Sequence, residues 1–83
     1  MENNNSYDAL LKPDGMRVLA VFLMLDNRQI VNYPRIYAMF EISYNTYMRL
    51  IASIRDVLDN FDVSYKAELI FNKKRNSYEL IKY

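Results

Sequence analysis

The side chains that could do chemistry here are hydrogen-bond donors and cations rather than nucleophiles or proton shuttles. The 83-residue sequence has no histidine and no cysteine. That removes His-based acid–base chemistry, Cys–His nucleophiles, thiolate metal sites and disulfides. One glycine leaves no material for a glycine-rich phosphate loop. Asp56, Asp59 and Asp62 are close in sequence, but they lack the loop and glycine of an EF-hand and read as a solvated helix end. No catalytic residue, no metal ligand and no cofactor is expected, and the chain is read as not an enzyme.

Two clusters remain, and both suit a polyanion. Ser43, Tyr44, Asn45, Thr46, Met48 and Arg49 lie in one short segment. Arg49 can grip a phosphate or a guanine edge, and Asn45 suits adenine. Lys73, Lys74 and Arg75 are consecutive, and such a run can meet phosphates or a minor groove. Arg35 can add a phosphate contact. The net charge of +1 hides this pattern. Residues 28–55 carry +3 (Arg28, Arg35, Arg49 and Arg55 against Glu41). Residues 63–83 also carry +3 (Lys66, Lys73, Lys74, Arg75 and Lys82 against Glu68 and Glu79). Between them Asp56, Asp59 and Asp62 form an acidic block.

The elements that position these clusters follow from periodicity. Residues 1–12, with three consecutive asparagines, read as a flexible N-terminal tail, and residues 13–83 as one domain. Pro13-Asp14-Gly15 opens a first helix with Asp14 as N-cap. Leu19, Phe22 and Leu23 keep helical spacing, and Val18, Val21 and Leu25 make the helix apolar on most sides, so it should be central. Asp26-Asn27-Arg28-Gln29 ends it, and Ile30-Val31 suits a very short strand. Asn32 caps a second helix with Pro34 in its first turn and an apolar stripe of Ile36, Met39 and Phe40. Ser43 caps a third. There Tyr47, Leu50, Ile51, Ile54, Val57, Leu58 and Phe61 share one stripe.

After residue 62 the period changes to two. Val63, Tyr65, Ala67, Leu69 and Phe71 mark the better-buried face of a strand. Lys73–Asn76 is a turn, with Asn76 best able to take a left-handed backbone. Tyr78, Leu80 and Lys82 belong to the return strand. Only Glu41 to Ser43 join the second and third helices, which forces a steep crossing. The fold class is therefore α+β: a three-helix winged helix-turn-helix with a C-terminal two-stranded β-hairpin wing. The eight tyrosines are read as structural rather than as a stacking platform.

The segment Ile42-Ser43-x-x-Thr46-Tyr47-x-Arg49-x-Ile51-x-x-Ile54 resembles the recognition helix of DeoR-type bacterial regulators. Tyr78-x-Leu80 is similar to that family's wing, and the resemblance spans roughly residues 16–83. It implies docking on double-stranded DNA, the third helix entering the major groove by its front end. It differs in having Glu41 where the family usually has glycine. The expected function is sequence-specific duplex binding by a small transcriptional regulator of the kind a phage or mobile element encodes. The alternative is a winged-helix protein–protein interaction module without DNA binding. A homodimer is expected, because one such domain makes few phosphate contacts. The first helix, with Leu10 and Leu11 of the tail, is its expected interface, or that of another protein partner. The polar, acidic N-terminus is no signal peptide, and Val18 to Leu25 is too short to span a bilayer. The expected location is cytoplasmic, with no membrane partner.

Overall fold

The structure, a computed structural model, describes residues 13–60 and 66–83. Three helices, α1 (Pro13–Asp26), α2 (Tyr33–Phe40) and α3 (Tyr44–Asn60), precede an antiparallel hairpin of β1 (Ala67–Asn72) and β2 (Ser77–Lys82). This is the expected α+β, winged-helix arrangement. The proposed tail, Phe61, Val63 and Tyr65 lie outside the described residues.

Each boundary has a local cause. The first helix begins at Pro13, one residue before the expected cap. Proline's preset φ suits a first helical position, so Asp14 sits inside the first turn and pairs with Arg17 at 3.2 Å. Arg28, at φ 60°, ends α1 in the left-handed region. Its N–H donates to Leu25 at 3.1 Å and that of Gln29 to Met24 at 2.9 Å, the paired bonds of a Schellman motif. Asn32 caps α2 as expected, its Oδ1 accepting from the Arg35 N–H at 3.0 Å. Asn76 takes φ 53° at the hairpin turn, also as expected.

The core is built from Val21, Met24 and Leu25 of α1, Ile36 of α2, Tyr47, Leu50, Ile51 and Ile54 of α3, and Leu69 of β1, with Val31 and Ile42 between elements. Val31 forms no separate strand. It instead continues the sheet by one link: its carbonyl accepts from the Tyr78 N–H at 2.9 Å, and its N–H donates to Ser77 Oγ at 2.8 Å. The Ser77 hydroxyl stands where a backbone carbonyl would be, which explains a fully buried serine.

Three apolar expectations are corrected. The first helix packs against α3 and β2, as a central helix should, but by one side only. Met16, Leu19 and Leu23 are 58%, 47% and 48% exposed on the other. A three-helix chain has only one core to pack against, so a helix apolar all round must leave a stripe uncovered. Met39 of α2 and Val57 of α3 are exposed for a similar reason, each lying on the flank of its stripe. Phe71 is exposed too, because the hairpin reaches past the core at its tip.

Candidate nucleic-acid interface

The front end of α3 is prepared by its own cap. Ser43 Oγ accepts from the Thr46 N–H at 3.1 Å and donates to Thr46 Oγ1 at 3.0 Å. Thr46 Oγ1 also accepts from Arg49 Nη2 at 3.2 Å. The chain Ser43–Thr46–Arg49 draws the guanidinium back toward the helix N-terminus. Cationic charge is thereby gathered at the end whose free N–H groups already favour anions. Asn45 and Arg49 are both exposed, as is Tyr44, and Met48 is half-buried. On the opposite stripe lie the buried Tyr47, Leu50, Ile51 and Ile54.

The turn before α3 is held from two sides. Glu41 adopts φ 54°, and its N–H donates to Tyr37 at 2.8 Å. A side chain in that left-handed geometry costs roughly 1 kcal/mol, which a glycine would not incur. Across the turn, the Tyr33 hydroxyl donates to the Ile42 carbonyl at 3.0 Å. The Tyr33 ring meets those of Tyr44 and Tyr47 at 5.4 Å and 5.5 Å, so α2 and α3 are fixed at their junction.

The hairpin is docked on both neighbours. Arg55 Nη2 donates to the Leu69 carbonyl on the outer edge of β1 at 3.0 Å. Asn32 Nδ2 donates to the Asn76 carbonyl at 2.9 Å, tying the start of α2 to the turn. Within the tip, Asn72 Oδ1 accepts from the N–H groups of Lys74 and Arg75 at 2.9 and 3.2 Å. Lys73 and Lys74 are exposed. Arg75 has a different setting: its guanidinium donates to Glu79 Oε2 at 2.8 Å. Strand alternation places Glu79 opposite in facing to Leu69 and Leu80, and it lies near the end of α1, where Arg28 also acts on it. The hydrogen bond from Arg75, then that from Asn72, holds the Glu79 carboxyl below its usual range.

Between α3 and the hairpin lies a cavity of about 300 Å³ that the sequence reading missed. Tyr33, Tyr44, Tyr47, Tyr78 and Phe71 wall it, with Met48 and Pro34 between them. The rings meet at steep angles: 88° for Tyr33–Tyr44, 61° for Tyr47–Tyr78 and 74° for Phe71–Tyr78. Asn32 and Asn76 supply its polar lining. Burial, and then the neighbouring Tyr78 and Tyr44, raises the Tyr47 hydroxyl pKa well above the ordinary value, so it stays protonated. Spacing could not have revealed this cavity. Its rings come from residues 33 to 78, and only the return of the hairpin to α3 joins them.

The structure therefore brings Arg35, Ser43, Tyr44, Asn45, Thr46, Met48, Arg49, Lys73 and Lys74 around the start of α3, the start of α2 and the hairpin tip, while Arg75 is held by Glu79. Among the described residues, no carboxylate pairs with Arg35, Arg49, Lys73 or Lys74. No helix there is long and apolar enough to cross a membrane. No protein family, curated protein or solved structure matches the chain.

Proposed function

We propose that this chain binds double-stranded DNA sequence-specifically as a small cytoplasmic transcriptional regulator. The observation that carries the reading is the Ser43–Thr46–Arg49 chain at an open helix front beside an exposed Asn45. A steeply crossed pair of helices can place that front in a major groove, with the hairpin beside it. Arg49 and Asn45 then face base edges, while Arg35, Lys73 and Lys74 face phosphates. The resemblance of these residues to the DeoR-type recognition helix and wing supports the same reading.

The uncovered stripe of α1 supports a homodimer. An antiparallel pairing about a two-fold axis would cover Met16, Leu19 and Leu23 with their own equivalents. Leu23→Glu should give a monomer by sedimentation with an unchanged fold. A second reading, a protein-interaction module, is favoured by that apolar stripe together with Glu41 at the turn.

Selection of duplexes from a random pool, followed by binding at several salt concentrations, tests the proposal. One enriched motif is expected, with affinity falling steeply as salt rises, by about 0.9 log units per tenfold salt for each phosphate contact. Arg49→Ala should cost about 1–3 kcal/mol on the selected duplex. No enrichment, with salt-insensitive capture of a protein partner, would replace DNA binding by the interaction module.

A further inference from the structure

We propose that the aromatic cavity between α3 and the hairpin receives a single nucleobase that has left the stack of a bound duplex. The inference rests on the DNA-binding reading and adds to it a second mode of contact. The cavity, about 300 Å³, is at the small end of the range for ligand sites, large enough for one flat heterocycle. Two rings offer exposed surface at its mouth: Tyr44 on α3, 55% exposed, and Phe71 on β1, 43% exposed. The cavity thus opens between an element proposed to enter the groove and one proposed to lie beside it. A base turned out next to α3 would find π faces within reach and the amides of Asn32 and Asn76 for its edge. Asn76 has no side-chain hydrogen bond among the described residues. Asn32 is partly committed, through the Arg35 N–H and the Asn76 carbonyl.

Charge decides between a base and the other guest that aromatic boxes take, a quaternary ammonium. No carboxylate lines the cavity. Of the charged residues next to its lining residues in sequence, Arg75 beside Asn76 and Glu79 beside Tyr78 are held to each other, and the remaining ones are cations: Arg35 beside Pro34 and Arg49 beside Met48, with Lys73 and Lys74 shortly before Asn76. Such a surround repels a cationic guest and attracts the phosphates on either side of a base. Removing a base from the stack is least costly where it has no partner. The site should therefore favour a duplex with one unpaired nucleotide at the correct place.

The test uses the duplex obtained by selection and a series of derivatives, each carrying one extra unpaired thymine at a successive position. Binding is read by fluorescence anisotropy. At one position affinity should rise roughly tenfold, the effect of stacking one base on aromatic side chains. Phe71→Ala should erase that gain and leave affinity for the fully paired duplex unchanged, while Phe71→Tyr should keep both. Phe71 is exposed enough for the alanine variant to fold, which its melting curve verifies. A flat response across the series, or a gain that persists in Phe71→Ala, would overturn the inference and leave duplex binding standing. Oligothymidine bound as tightly as the best derivative would overturn the duplex as the source of the base. A Phe71-dependent gain without affinity for any paired duplex would instead overturn the proposed function while keeping the cavity's role.

Discussion

The hairpin borders two concavities of similar size but opposite character. One, about 370 Å³, lies between the end of α1 and β2, and the other is the aromatic cavity facing α3. The first is lined by Arg28, Arg75 and Lys82, yet also by Asp26 and Glu79. Two of its three cations are matched internally: Lys82 Nζ meets Asp26 Oδ1 at 2.6 Å, and Arg75 meets Glu79 at 2.8 Å. The second has no charged lining, and Arg35, Arg49, Lys73 and Lys74 around it have no acidic partner among the described residues. Counting cations would rank the first above the second as an anion site. Pairing reverses the order, because a cation already held by a carboxylate has less to gain from a phosphate.

Four substitutions would break or sharpen this contrast, from the largest effect to the smallest. Ile51 is fully buried on α3, in the core that supports both concavities. Ile51→Ala should cost about 2–5 kcal/mol and lower the melting temperature of the whole domain. A smaller loss would mean that the core carries less of the fold than its burial implies. Ser77→Ala should come next. It leaves the buried Val31 N–H without an acceptor, at a cost of about 1–3 kcal/mol. Hydrogen exchange at the β2 amides should rise, since this link joins the hairpin to the helices.

Glu41→Gly acts on the α3 side alone. It relieves the left-handed strain at φ 54° and should stabilise by roughly 1 kcal/mol. It also removes an acid from the turn before α3, so duplex affinity should rise; stability without affinity would weaken the proposed docking. Glu79→Gln acts on the paired side and has the smallest effect. The folded Glu79 pKa is depressed, so its contribution is complete above the ordinary value of 4.5 and is lost as pH falls through the lower folded value. The wild type should therefore lose hairpin protection on acidification below that range, and the Gln variant should lack that component. Freed from Glu79, Arg75 should also add to the salt dependence of DNA binding.

Much of the scaffold was legible because it is local. Asn32, Ser43 and Asn76 each act within three residues of themselves, as a cap, a cap and a left-handed turn, so residue type and position suffice to find them. The stripe of Tyr47, Leu50, Ile51 and Ile54 is a property of one helix. The α1 stripe was misassigned for the converse reason. Val18, Leu19, Phe22, Leu23 and Leu25 are all apolar, so periodicity has no polar side to contrast with. Which side met the core was settled by α3 and β2.

By itself, then, the sequence determined the element order, the caps, the tight helix–helix turn and the inner face of α3, all set by interactions a few residues long. Only the tertiary structure decided that tyrosines at 33, 44, 47 and 78 share one cavity, that Arg75 belongs to Glu79, and that the outer side of α1 stays bare. Those outcomes depend on how separate elements dock, and docking responds to the whole packed surface rather than to any one segment's pattern.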